Sequence, residues 1–238
     1  GIIGPPEACV IAGYRAGGNT LLGWNFFQDF PEFGGGGEKD ESGYFVTDGW
    51  WENPSTRMLM SIGEECVELP DASEILRKGL DLLERETIEH PNGCVHRGGQ
   101  AAYRAWAASL SDDAGFAEGM PLPQLFERLM CVIDALTMVH EGRGCAAAWM
   151  RELASAVDGA GKGNRAALAR KAAGFFDGER ALVDEITALP AYGEPGEKRA
   201  LALAEPAFRK EIVTRIARAA ELDRAAIGTI RELLDLWR

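Results

Sequence analysis

The amino-acid sequence predicts an α+β protein in which a small antiparallel β-sheet is followed by an α-helical bundle. In the first 70 residues, short β-branched and aromatic runs alternate with glycine-rich turns, a pattern typical of strands. From Pro70 onward, apolar residues recur at the three- and four-residue spacings of helices. We therefore expect a sheet domain over residues 1–70 and a helical bundle over residues 71–238, with no sharp boundary between them.

The predicted sheet begins with a hairpin over residues 8–27. The runs ACVIAGY and TLLGWNFF flank the turn RAGGN, whose glycines and asparagine can adopt positive φ angles. GYFV (43–46) and RMLMSIGE (57–64) are two further strand candidates. The segment DFPEFGGGGEKDESG (29–43) is predicted to be a loop, because four consecutive glycines lose too much conformational entropy in regular structure.

The remainder of the chain is predicted to be helical. ASEILRKGLDLLERETIEH (72–90) places its apolar residues on one stripe, with Asp71 as N-cap and Pro91-Asn92-Gly93 as the stop. Arg143 falls at a predicted helix junction, where a positive side chain interacts with the helix dipole. Pro206 is expected to kink or divide the last helix, because proline lacks a backbone donor. The other helical patterns cover residues 98–111, 121–140, 143–157, 163–189 and about 197–238.

Composition and charge exclude several function classes. The net charge of −12 disfavours nucleic acid as a partner, because binding to phosphates needs a basic surface. No apolar run approaches the length that spans a bilayer, and no secretory signal pattern is visible, so we expect no membrane partner. Five cysteines without paired spacing fit reduced thiols in the cytoplasm. KGNRAALARKAAG lacks the residue order of a phosphate-binding loop, and we expect no cofactor.

The hairpin carries a family resemblance. It reads E-A-C-V-I-A-G-Y, a turn, then T-L-L-G-W-N-F-F, and this resembles the second half of papain-like cysteine peptidases of the bacteriocin-processing type. The wider arrangement, with AAYRAWAASL and CAAAWMRELA in the helical part, looks like bacterial relatives of the butirosin-biosynthesis acyltransferase. The resemblance implies half of a papain-like fold. It also implies acyl transfer or amide hydrolysis on a small amide-containing molecule or a peptide.

The family's catalytic positions transfer only in part. The family histidine falls on Glu7, six residues before Gly13, and the Asp or Asn that orients it falls on Asn25. Cys9 lies two residues after Glu7 and so on the same strand face, but on the wrong element to be the nucleophile. The family nucleophile lies upstream, so we expect an N-terminal segment that this chain lacks. By the same resemblance, Gln28 would bind substrate carbonyls.

Glu7 leaves two functions open. A carboxylate beside a thiolate raises the thiol pKa by repulsion, which opposes peptidase chemistry. A buried glutamate with a raised pKa can still carry a proton, and in that reading Glu7 and Asn25 are the catalytic residues. The alternative is a non-catalytic ligand- or partner-binding module that kept the fold and lost the triad. The apolar C-terminal segment LLDLW is compatible with packing against a second copy in a homo-oligomer.

Three aromatic residues complete the predicted substrate site. Trp24 would lie in the cleft with Glu7 and Asn25. Trp50, next to Trp51 in GWWENP, is a candidate to line a pocket, because two adjacent tryptophans cannot both be buried on one side. Tyr103 is a candidate to form a pocket wall. The favoured interpretation is that it belongs to an aromatic seam on an amphipathic helix.

Two clusters contain residue types that bind metal ions. His90, Cys94 and His96 in EHPNGCVH can chelate zinc, but a structural site needs four ligands, and a helix-to-helix turn is favoured instead. The acidic glycine-rich loop around residues 29–41 lacks the pattern of a calcium hand and is interpreted as a solvated loop. We therefore predict no metal site.

Overall fold

The computed structural model describes residues 9–25, 28, 38–53, 56, 59–61, 63–64, 70–90, 93–117, 119–159 and 163–237. The chain divides into two compact units, Gly1–Val67 and Glu68–Arg238. Within the described residues, the first unit contains an antiparallel sheet of four strands, and the second contains six α-helices and a two-stranded hairpin. The predicted α+β class, a small sheet followed by a helical bundle, is confirmed.

The sheet of the first unit is built on the predicted hairpin. Its strands are β1 (Cys9–Arg15), β2 (Thr20–Asn25), β3 (Glu38–Lys39) and β4 (Phe45–Asp48). Their spatial order is β1-β2-β4-β3, and every neighbouring pair is antiparallel. In the turn between β1 and β2, Gly17 and Gly18 adopt positive φ as expected, whereas Asn19 does not (φ −66°) and Ala16 does (φ 49°).

Two predictions about the other strands need correction. β3 lies inside the segment predicted as a loop, because its backbone pairs with β4, with Glu38 opposite Val46, and pairing overrides local propensity. The strand predicted over 43–46 is shifted to Phe45–Asp48. Of the strand predicted over 57–64, the described residues 59–61, 63 and 64 are not in a strand.

The second unit is a helical bundle that carries a small hairpin. Asp71 caps the first helix as predicted, accepting a hydrogen bond of 3.3 Å from the backbone N–H of Ser73. Pro206 begins the last helix, so the predicted division at this residue is confirmed. None of the described helices is long and apolar enough to cross a bilayer. The elements are α1 (Ala72–Glu84), β5 (Thr87–Glu89), β6 (Val95–Arg97), α2 (Gly99–Ser111), α3 (Leu122–Gly159), α4 (Gly163–Thr187), α5 (Gly196–Ala202) and α6 (Pro206–Asp235).

Two helix boundaries were predicted wrongly. The helix expected over 72–90 ends at Glu84, and the segment that follows pairs as β5 with β6. The expected helix-to-helix turn is therefore a β-hairpin. The two helices expected over 121–140 and 143–157 are the single helix α3, which continues through Gly142 and Gly144. Close packing explains why glycine occurs inside this helix, because a Cβ on Gly144 would lie 3.2 Å from the Arg180 side chain of α4. Glycine here permits a close approach of the helices and does not end one.

The bundle core consists of two hydrophobic clusters with polar residues at their junction. Along α3, α4 and α6, the buried apolar residues of one cluster give way to those of the other across a short gap. The gap contains Arg143 on α3, Glu179 on α4 and Asp223 on α6. Each of the three helices therefore places a charged residue at the level where the two apolar clusters meet.

Candidate functional site

Asn25 occupies the end of β2 and is fully buried. It pairs with Cys9 of β1, and its Nδ2 donates to the Cys9 Sγ at 3.3 Å. Strand alternation explains this proximity, because residues directly opposite on antiparallel strands share a face. The structure therefore brings Asn25, a predicted catalytic residue, next to Cys9, which was not predicted to be part of the site. Glu7, the other predicted catalytic residue, lies outside the described residues.

Trp24 lies on the opposite face of the same strand from Asn25. It pairs with Val10, and both side chains are exposed, by 43% and 63% respectively. Adjacent residues of a strand point to opposite faces. One cleft within this sheet therefore cannot be lined by both Trp24 and Asn25, and the two residues define two separate candidate surfaces.

Gln28 and Trp50 bind backbone groups within the first unit. The Gln28 Nε2 donates to the Gly43 carbonyl at 3.1 Å, and its Oε1 accepts from the Asn25 backbone N–H at 3.3 Å. The Trp50 Nε1 donates to the Gly18 carbonyl at 2.9 Å, while the neighbouring Trp51 is 52% exposed. Gln28 thus joins the end of β2 to the turn before β4, and Trp50 joins a short 3-10 helix to the β1–β2 turn.

Tyr103 belongs to the second unit, where its hydroxyl takes part in a buried polar network. The hydroxyl donates to the Glu179 Oε2 at 2.6 Å. Arg143 contacts two carboxylates, through Nε to the Glu179 Oε2 at 3.0 Å and through Nη2 to the Asp223 Oδ1 at 2.7 Å. The Gln100 Nε2 donates to the Asp223 Oδ2 at 2.8 Å. We name these five residues, from α2, α3, α4 and α6, the polar layer.

The polar layer contains two carboxylates and one guanidinium. Glu179 and Asp223 are fully buried, and transfer of a carboxylate from water to such a site disfavours its charged form. Burial raises the pKa of Glu179 to about 7, even though Arg143 lowers it. Burial likewise raises the pKa of Asp223, again against the opposing effect of Arg143.

One carboxylate oxygen of the polar layer lies outside its hydrogen bonds. Within the described part of the chain, the buried Oε1 of Glu179 has no hydrogen-bond partner. A buried acceptor without a donor is costly, more so when it is charged. Protonation of Glu179 removes that charge, so the layer can take up a proton near neutral pH. This is an acid–base property of the bundle core.

The sequence contains a signal for this layer, a charged residue in phase with each buried apolar stripe. Glu179 follows Phe176 by three residues and precedes Leu182 by three, so a charge sits in phase with the buried stripe of α4. Asp223 lies in phase with Ala219 and Ala226 of α6 in the same way. Arg143 was assigned to a helix junction, which is wrong because it lies inside α3. A charge on an apolar stripe predicts a buried partner, although not which one.

A shallow pocket of about 210 Å³ lies one helical turn from the polar layer. His140 of α3 faces Asp184 of α4 there, with 3.3 Å between Nε2 and Oδ1. Within the described residues, no group of three or more His, Cys, Asp and Glu side chains is arranged to hold a metal ion. The pocket is lined by Leu136, Thr137, His140, Glu141, Val183, Asp184, Thr187 and Tyr192.

Comparison of the chain with protein-family models, with curated proteins and with solved structures gave no match. The likeness to papain-like peptidases and to the butirosin-type acyltransferase therefore rests on the sequence pattern of the hairpin and of the helical part alone.

Proposed function

We propose that this chain binds a small amide-containing molecule or a peptide at the Asn25 face of the first unit, as a degenerate relative of papain-like peptidases and acyltransferases. The observation that carries the proposal is the fully buried Asn25, whose amide lies 3.3 Å from the Cys9 sulfur across two paired strands. Glu7 is assigned to the same site by its place in the family pattern.

A buried asparagine in a strand supports a positioning role. Asparagine is disfavoured in strands, and burial of its amide costs free energy unless partners are present. At this position an apolar residue would serve packing better. In the family that the hairpin resembles, the corresponding residue orients the catalytic base. Asn25 would by analogy hold Glu7 or a ligand amide in a fixed orientation.

Binding is favoured over peptide hydrolysis by the chemistry of Glu7. A thiol nucleophile needs a base that becomes protonated near neutral pH, and imidazole meets this need. A carboxylate near a thiol opposes formation of the thiolate. A carboxylate next to an asparagine amide instead offers an acceptor beside a donor, which matches the donor and acceptor of an amide group. Acyl transfer by a cysteine from an upstream segment is the alternative.

Peptide binding can be tested on the intact chain by saturation-transfer NMR. The probe is acetyl-trialanine amide, and the variants are Glu7→Gln, Asn25→Ser and Trp24→Ala. We expect saturation of the peptide by the wild-type chain and its loss in the first two variants. Trp24→Ala is the matched control, because it changes the other face of the same strand. Binding lost only in Trp24→Ala, or not detected at all, would overturn the proposal.

Alkylation kinetics separate binding from acyl transfer. Iodoacetamide labelling, followed by mass mapping, gives the rate at each cysteine. We expect no cysteine of this chain to react faster than a small-molecule thiol at pH 7. A rapidly reacting Cys9 that the peptide probe protects would support acyl transfer and contradict the binding role.

Cellular location belongs to the same proposal. The described cysteines Cys9, Cys94, Cys131 and Cys145 are not in disulfides, and the last three are exposed. Exposed thiols persist in a reducing compartment. We therefore propose that the protein acts in the cytoplasm, and size-exclusion chromatography with light scattering would show whether it works as a homo-oligomer.

A further inference from the structure

The hairpin formed by β5 and β6 places two histidines side by side. Ile88 is paired with His96, and the backbone N–H of His90 donates to the Cys94 carbonyl at 2.9 Å, so the pairing continues past β5. Side chains two residues apart on a strand share a face. His90 therefore lies on the same face as Ile88 and its cross-strand partner His96. Both histidines are exposed.

The two imidazole rings face each other through their nitrogens. The His90 Nε2 lies 2.9 Å from the His96 Nδ1, and the ring centroids are 4.4 Å apart with the planes inclined by 61°. A hydrogen bond between two ring nitrogens requires that one carries a proton and the other a lone pair. The two nitrogens therefore point toward each other across the space between the rings, and a rotation of each exposed ring directs both lone pairs at one ion.

This spacing suits a shared metal ion. Imidazole nitrogens bind divalent transition metals at roughly 2.0–2.1 Å, so two nitrogens 2.9 Å apart subtend about 90° at the metal. Such an angle is found between neighbouring ligands of square-planar and tetragonal Cu²⁺ and Ni²⁺ sites. Tetrahedral coordination of Zn²⁺ would need the two nitrogens about 3.3–3.4 Å apart, so the two rings would have to move slightly away from each other.

We propose that His90 and His96 form a bidentate surface site for a divalent transition-metal ion, preferring Cu²⁺ and Ni²⁺ over Zn²⁺. Across the described residues no third His, Cys, Asp or Glu completes the set, so water fills the remaining coordination positions. On metal binding the ring that donates the hydrogen bond changes tautomer: its proton moves through solvent water to its other nitrogen, so that both rings bind the ion as neutral imidazoles. The observed β-hairpin, which takes the place of the expected helix-to-helix turn, aligns the two rings.

Isothermal titration with NiCl₂ on the intact chain tests this site, and Ni²⁺ avoids oxidation of the thiols. We expect one ion per chain. Loss of either ligand in His90→Ala or His96→Ala should weaken binding about tenfold or more, because chelation by two tethered ligands is lost. His140→Ala removes a histidine on α3, outside the hairpin, and should leave the affinity unchanged.

Two further results would decide the assignment. Unchanged affinity in both hairpin variants, or no binding by the wild-type chain, would overturn the site. Weakening by Cys94→Ser would show that the thiol is a ligand and would overturn the two-histidine set. Because both histidines are exposed, far-UV circular dichroism should show all of these variants folded, which separates loss of a ligand from loss of structure.

Discussion

The hydroxyl of Tyr103 on α2 donates a hydrogen bond of 2.6 Å to Glu179 on α4, at the junction of two apolar clusters. Arg143 extends this contact from α3 to Asp223 on α6. The core of the bundle is thus crossed by a layer in which each of the five residues is hydrogen-bonded to a residue of another helix. Such a layer disfavours sliding of one helix along another, because a shift of one turn would bury the charges in apolar surroundings.

Replacing Arg143 by methionine should strongly destabilise the bundle. The variant leaves Glu179 and Asp223 buried without their cation, and loss of one partner from a buried ion pair costs about 3 kcal/mol or more. Urea unfolding followed at 222 nm measures the free energy of unfolding. Arg151→Met on the same helix is the control, since its pair with Asp177 is about half exposed and should contribute less than about 1 kcal/mol. Equal effects of the two variants would contradict a structural role for the layer.

The stability of the bundle should fall as pH rises from about 4.5 to 7. The folded state holds a proton on Glu179 up to a pKa of about 7, whereas the unfolded state releases it near 4.5. Across that window the folded state binds more protons, so the free energy of unfolding decreases with pH, by up to about 3 kcal/mol. Asp223, whose pKa is also raised, acts in the same direction.

Urea unfolding at several pH values checks this slope. Glu179→Gln cannot lose a proton and should show a shallower dependence of stability on pH. Glu185→Gln on the same helix changes a carboxyl that is 46% exposed and serves as the matched control. An unchanged slope in Glu179→Gln would show that this residue is not the buried proton site.

Gly23→Ala should destabilise the sheet of the first unit. A Cβ on Gly23 would lie 2.5 Å from the ring of the buried Phe45 and 2.8 Å from the Val10 carbonyl oxygen. Overpacking of this kind costs about 1–3 kcal/mol. Hydrogen exchange of β1 and β2 measures the local stability. Gly13→Ala is the control, since its Cβ would meet Leu22 at an ordinary 3.6 Å; similar exchange in both variants would contradict the argument.

Arg209→Lys should lower the melting temperature although the charge is kept. Arg209 is buried, and its guanidinium donates to the carbonyls of Leu110, Leu203 and Ala204 at 2.8–2.9 Å. An ammonium group cannot meet all three in this geometry. If the lysine donates to one of the three carbonyls, the other two lose their donors, which lowers the free energy of unfolding by about 2–3 kcal/mol.

Differential scanning calorimetry measures this change. Arg218→Lys on the same helix is the control, because Arg218 is 59% exposed and lies 3.7 Å from Glu185. A melting temperature lowered equally by both substitutions, or by neither, would show that the fork of hydrogen bonds from Arg209 does not hold the end of α2 to the start of α6.

The sequence by itself determined the order and type of most elements. The β1–β2 hairpin follows from the period of two in its strands. The helix start at Asp71 follows from a side chain that accepts a hydrogen bond, and the division at Pro206 from the backbone donor that proline lacks. The same period of two places Trp24 and Asn25 on opposite faces, which argues against the single cleft that the resemblance implied for them.

Tertiary structure decided what depends on partners distant in the chain. Thr87–Glu89 became a strand because Val95–Arg97 pairs with it, and α3 continued through two glycines where another helix packs closely. The polar layer joins Arg143 to Glu179 and to Asp223, residues 36 and 80 positions away. Local periodicity specifies which face of a helix is buried, but not which residue of another helix lies opposite. The residues of the polar layer form one hydrogen-bonded group because α2, α3, α4 and α6 pack together at the same level.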